Sequence, residues 1–378
     1  MRFNPTKVLL WLVAGALGTA VLWVLITIPT IPTSNDFWSG GDLMVDRYVG
    51  DVVVQDREYR AEVVYQERIV GNKNPIAFVT LHPSNYLGTC LQGVWYPDGG
   101  IYKVIEALER IAIKNGVEIK INSPVKSINT QNGIVTGVGL EDDEELNADI
   151  VISNADIVHT DQKLLEKKYQ QKSQRYWDKR LMAPSAFILY LGVDGEIPSL
   201  QHHNLLFAER WEENFKQIFK KPEWPTDPSL YVCAPSKSDT TVAPKGKENL
   251  FVLVPVAAGL EHDDEFLEKY ASFVINQMQD NMDIPNFKER IVYKKMYAVK
   301  DFIKDYNAFK GSALGLAHTL SQTAIFRPNN INKKLKGLYY VGAGTNPGIG
   351  MPICLISAEL VYKRIEGITD PAPLKNLS

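Results

Sequence analysis

Gly337-Leu338-Tyr339-Tyr340-Val341-Gly342-Ala343-Gly344-Thr345-Asn346-Pro347-Gly348-Ile349-Gly350-Met351-Pro352 runs directly into the apolar stretch 353–365, and this passage sets the reading of the whole chain. A short β-type run, a glycine-rich bend and a helix in that order place bare backbone N–H groups at a helix N-terminus. Partial positive charge there favours an anionic or electron-rich ligand, a cofactor being the natural occupant. Pro352 suits the first helical turn, Lys363 and Arg364 the last, and Gly367 a C′ stop, so the helix is framed at both ends. Gly342, Gly344, Gly348 and Gly350 let a ligand approach the backbone closely. A loop that only joins strand to helix fits the segment equally well when it is taken alone.

Upstream, Ile101, Val104, Ile105, Leu108, Ile111 and Ala112 recur at helical spacing until Asn115-Gly116. Four strand-like runs follow at 117–121, 125–128, 134–140 and 146–153, with Asn132-Gly133 as a turn between two of them. Helix then short strands predicts a mixed α/β domain. Further strands are expected at 186–193, 230–234 and 250–256, broken by proline-bearing loops, with a helix over 263–282. Before all of these, 32–92 reads as a tether with a small strand-rich segment containing the β-branched runs 51–54 and 62–65.

The chain has 378 residues, a net charge of -3 and a pI near 6.1, which implies no basic face and no nucleic-acid partner. Cys90, Cys233 and Cys354 are odd in number and far apart, so neither a disulfide framework nor a zinc site is expected. His202-His203 is the one adjacent pair among six histidines; neighbours on a strand face opposite ways, so no metal site is expected there. Residues 8–28 carry no charge and hold Trp11 and Trp23 near their two ends, enough to cross a hydrocarbon core as a single transmembrane anchor. The stretch exceeds a usual signal-peptide core and no small-x-small site follows it. Arg2 and Lys7 precede it while Asp36, Asp42 and Asp46 follow, which favours N-in. The expected location is the membrane, by a single N-terminal pass.

Six ordered blocks carry a resemblance across 93–367. Gly93-Val94-Trp95-Tyr96-Pro97-Asp98-Gly99-Gly100 opens it, and 146–160, centred on Ser153-Asn154-Ala155-Asp156, follows. His202-His203-Asn204-Leu205-Leu206-Phe207, then 228–236 and 248–256, come next, and the glycine-rich passage, preceded by 315–320 and Arg327-Pro328, closes it. The chain resembles the bacterial-type phytoene desaturases, flavin enzymes of the FAD-dependent amine-oxidase-like superfamily. The resemblance implies FAD as cofactor, an apolar C40 carotenoid as substrate, and hydride transfer from that polyene to flavin. It maps Gly342, Ala343, Gly344, Thr345, Pro347, Gly348, Gly350, Met351 and Pro352 onto cofactor contacts. Val125 matches a position at the adenine end of FAD, with core packing as its alternative. Asn154 and Asp156 can return the chain towards the cofactor, with a helix N-cap as theirs. No catalytic acid or base is assigned. Trp95, Tyr96, Phe207, Trp211 and Phe251 are candidates for an apolar tunnel or for core.

The pattern also departs from that family, whose members carry a strand, G-x-G-x-x-G and helix for the FAD pyrophosphate. No such motif is present in this sequence. Three explanations stand: a truncated or rearranged copy, a misassembled reading frame, or one half of a split enzyme whose second chain supplies the dinucleotide-binding fold. The expected architecture is an incomplete FAD-dependent oxidoreductase fold of the α/β class with an inserted mixed-sheet substrate domain. Its parts are an anchor at 1–31, tether at 32–92, cofactor-side part at 93–156, substrate domain at 157–334 and cofactor-binding strand, turn and helix at 335–378. A membrane-tethered scaffold without activity and another flavin-dependent polyene or amine oxidase are the competing functions.

Overall fold

The computed structural model describes residues 97, 99–372 and 374 and, before them, the strands at 43–45, 48–54, 57–63 and 67–70. The expected anchor at 8–28 lies outside the described residues. Among those described, no helix is long and apolar enough to cross a membrane. In chain order the strands are β1 (Leu43–Val45), β2 (Tyr48–Val54), β3 (Arg57–Val63), β4 (Glu67–Val70), β5 (Val125–Gln131), β6 (Ile134–Leu140), β7 (Glu145–Asn147), β8 (Val151–Ser153), β9 (Ser185–Asp194), β10 (His203–Leu206), β11 (Leu230–Cys233), β12 (Lys247–Val256), β13 (Ile291–Tyr297) and β14 (Leu338–Tyr340). The longer helices are α1 (Tyr102–Lys114), α2 (Trp211–Phe219), α3 (Asp264–Asn281), α4 (Val299–Tyr306) and α5 (Met351–Glu366).

Contacts divide the chain into two units, one of residues 1–117 and 186–298, the other of 118–185 and 299–378. The boundaries expected at 157 and 334 therefore move to 186 and 298. The reason lies in the loops, because 157–184 and 299–334 bond to the glycine-rich turn and its strands, as described below. Helix α1, expected beside the cofactor, falls in the first unit instead.

The first unit is built on a seven-stranded mixed sheet of order β1-β4-β10-β11-β12-β9-β13, in which β4 and β10 are parallel and β10–β11, β11–β12 and β9–β13 antiparallel. β9 and β12 read as largely apolar runs because both their faces are largely buried. Helix α3 buries Leu267, Tyr270, Ala271, Val274, Ile275 and Met278, one stripe at 3.6-residue spacing. Asp263 caps it by accepting from Phe266 N–H at 2.8 Å. Tyr270 meets Phe187 of β9 edge-on at 5.3 Å between ring centres, and its hydroxyl donates to Pro225 O. Phe251 packs edge-on against Tyr190, and Trp211 packs at a tilt against Phe215.

The second unit holds the antiparallel meander β5-β6-β7 and the parallel pair β14-β8. Asn132 and Gly133 both take positive φ, 51° and 80°, as a two-residue hairpin turn of matching twist requires. The run expected as one strand over 146–153 splits into β7 and β8. β7 completes the meander, while β8 joins β14 in a different sheet. Residues 117–121, expected as a strand, are not one, and Ile121 stands 77% exposed.

Candidate active site

β14 delivers the chain to the turn. Leu338, Tyr339 and Tyr340 register with Val151, Ile152 and Ser153 of β8, and Val341 N–H extends the ladder to Ser153 O at 3.0 Å. Leu338 and Tyr340 are 1% exposed, which fixes which face of this short strand is the core. The turn occupies 342–350 and α5 begins at Met351, with Gly350 as N-cap residue, Pro352 in the first turn, Lys363 and Arg364 in the last and left-handed Gly367 as the stop. No side chain caps the N-terminus of α5 and no acidic residue lies in its first turn, so its orphan N–H groups can meet a ligand.

A second layer of side chains, which sequence reasoning missed, holds the turn. Asn330 is fully buried and its amide shares its hydrogens among Tyr340 O, Thr345 Oγ1, Asn346 O and Ser357 Oγ, at 2.6 to 3.2 Å. Ser357, one helical stage into α5, donates to Asn346 O at 2.8 Å and accepts from Gly342 N–H at 3.1 Å. Arg327 is 3% exposed and donates to the carbonyls of Ala343 and Thr345. Burial pulls the Arg327 guanidinium down to about 10, which leaves it charged at neutral pH. Nothing in the spacing of Asn330 or Ser357 marks them; an asparagine two residues after Pro328 reads as ordinary loop chemistry.

The glycines are shaped by the protein as well as for a ligand. A Cβ at Gly342 would strike Asn154 Oδ1, one at Gly344 would press Ile157 at 3.1 Å, and one at Gly348 would collide with the ring of His318. Asn154 packs against Gly342 of the turn. Asp156 takes the capping role: its carboxylate accepts from Val158 and His159 N–H at 2.8 and 3.0 Å and from Phe309 N–H at 3.2 Å. Burial raises its carboxyl group above the usual range, against those three donors. Val125 starts β5 opposite Leu140 and belongs to the meander, not to the turn. His318 Nε2 is buried without a hydrogen-bond partner, and burial together with Arg327 lowers the ring to about 4. A neutral imidazole with an unsatisfied buried nitrogen beside Gly348, next to an uncapped helix, fits a polar ring edge placed against the turn.

A cleft of about 780 Å³ adjoins the turn through Arg327, Tyr340 and Asn346, a size that suits a cofactor-sized ligand. Its wall carries Asp161, Lys172, Lys333 and Lys334 with Trp177 and Phe326, so it is mixed and cationic, not the apolar tunnel expected for a polyene.

Residues 56–365 match the flavin containing amine oxidoreductase family, so the strand, turn and helix above sit inside a recognised sequence frame. The chain belongs to that family. Among relatives of this flavin oxidoreductase chain, a carotenoid 3,4-desaturase of Haloarcula japonica is 44% identical over 71% of this chain and 54% of its own length. A zeta-carotene-forming phytoene desaturase of Myxococcus xanthus is 36% identical over 82% and 60%. A phytoene desaturase of Fusarium fujikuroi is 34% identical over 72% and 52%. The chain therefore spans about half the length of the curated relatives it matches.

Proposed function

We propose that this flavin oxidoreductase chain is the turn-bearing portion of an FAD-dependent carotenoid desaturase of the phytoene desaturase type. The observation that carries the reading is the β14-turn-α5 passage, held rigid by Asn330, Arg327 and Ser357, with an uncapped helix start beside the orphaned His318 nitrogen. FAD, when bound, supplies the two-electron acceptor for a hydride leaving one carbon of a CH–CH bond. Gly342, Ala343, Gly344, Thr345, Pro347, Gly348, Gly350, Met351 and Pro352 hold it. The N-terminal dipole of α5 favours the negative charge that a reduced flavin gathers. The family resemblance adds Val125 and Asn154 to the neighbourhood.

An apolar C40 carotenoid resides in the bilayer, so membrane association belongs to the same proposal, with 8–28 as its anchor. A second chain carrying a G-x-G-x-x-G fold would supply the pyrophosphate contacts that this sequence lacks. The competing reading, a scaffold without activity, draws on the packing of Asn154, Ile157 and His318 over three of the turn's glycines.

Purification from a flavin-replete host and an absorption spectrum separate the two. Bound flavin, lost in Gly348→Ala but kept in a conservative surface variant such as Lys269→Gln, supports the enzyme. A folded, colourless protein that takes up no FAD on titration, alone or mixed with a partner chain carrying the G-x-G-x-x-G fold, supports the scaffold.

A further inference from the structure

His203 opens β10 and Cys233 closes β11, and the two are direct partners in the antiparallel register, which puts their side chains on one face of the sheet. His202 precedes the strand and is free of its alternation. Its ring lies 4.3 Å from that of His203, centre to centre, where strand neighbours were expected to diverge. One ligand atom from each of His202, His203 and Cys233 lies within 4.8 Å of the other two.

The surroundings hold these groups in place. His202 O accepts from Ala234 N–H at 2.8 Å, which ties the residue before β10 to the end of β11. Nδ1 of His203 bonds the Tyr231 hydroxyl at 2.9 Å, and Nδ1 of His202 bonds Ser238 Oγ. Hydroxyls on the second ring nitrogen are the kind of outer partner that fixes ligating imidazoles. Asp239, whose carboxylate is bound by Gly99 and Thr241, acts electrostatically on His202 and supplies negative charge nearby.

We propose that His202, His203 and Cys233 form a binding site for a divalent ion of the zinc class, with the fourth coordination position open. Two imidazoles and one thiolate are a borderline-soft donor set that favours zinc over magnesium or calcium. Tetrahedral zinc would bring the three atoms to about 3.3–3.6 Å apart, a closure of at most about 1.5 Å from the 4.8 Å within which they lie. The Cys233 thiol proton leaves to solvent as the metal–sulfur bond forms.

The site belongs to the first unit and does not depend on flavin. It is tested on the full chain after chelator treatment, with cobalt(II) as a spectroscopic probe and zinc as competitor. The expected result is one cobalt per chain, with tetrahedral visible bands and a thiolate charge-transfer band that zinc abolishes. Cys233→Ser should remove the charge-transfer band and weaken binding at least about 100-fold, more than loss of an outer partner gives. Cys354→Ser should leave both unchanged. A second measurement needs no variant: equimolar zinc should slow alkylation of Cys233 about 10-fold or more while leaving Cys354 unaffected. Cobalt bands that are absent from the folded protein, or that persist in Cys233→Ser, would overturn the proposal, as would zinc-independent alkylation.

Discussion

Asn330 joins four acceptors from β14, the turn and α5, so its removal should be felt beyond its own site. Asn330→Ala should cost about 2–4 kcal/mol by urea denaturation, since several buried acceptors lose their donor at once. Asn330→Asp should be no better, because a carboxylate donates nothing and would face four oxygens. Gly348 is the second test. Its φ of 144° and the His318 ring in the path of a Cβ make Gly348→Ala strained twice over. Combining it with His318→Ala should recover about 1 kcal/mol of the steric part, measured as the coupling in a double-mutant cycle, while the backbone cost stays. His318 also sets a pH dependence. Its folded value of about 4 lies below the 6.5 of an exposed ring, so between those values the unfolded chain binds more protons. Stability from this group is therefore full above pH 6.5 and falls as pH drops towards 4. The ring's NMR titration should show a midpoint near 4, and His318→Gln should flatten that part of the stability profile.

Elements were legible where a periodic pattern met a stop signal. Helix 263–282 appears as Asp264–Asn281 with Asp263 and Met282 as caps, because the apolar stripe and the acidic start are both local. The Asn132-Gly133 hairpin and the frame of α5 were legible for the same reason. Residues 117–121 alternate well, but no ladder forms on them among the described residues, and periodicity alone cannot supply a partner strand. His202 and His203 do not diverge as expected, because alternation holds only inside a strand and His202 lies outside it. Within α3, Met278 is fully buried, and Met278→Ala should cost about 2–4 kcal/mol as transfer plus cavity, measured by urea or thermal unfolding. Helix α1 behaves differently. Its apolar stripe is uncovered, with Ile105, Leu108 and Ile111 at 51%, 47% and 58% exposure, so Leu108→Ala should change stability by less than about 0.5 kcal/mol.

At the scale of the molecule, the succession of helical and strand-like runs could place the chain in the α/β class, but not the partition into units. That partition follows from long-range bonds such as Asp156 to Phe309 and Arg327 to Thr345, which no local pattern announces. The glycine passage was readable as strand, turn and helix; what packs over its glycines was not. One feature of the second unit bears on biosynthesis. β8 must find β14 across 184 intervening positions, between Ser153 and Leu338, and the whole of 186–298 is translated in between. At ordinary elongation rates the first half waits about 10–40 s with its strand edge unpaired. Chaperone demand should therefore peak late on the ribosome, and nascent chains stalled before Leu338 should be the species most prone to aggregate.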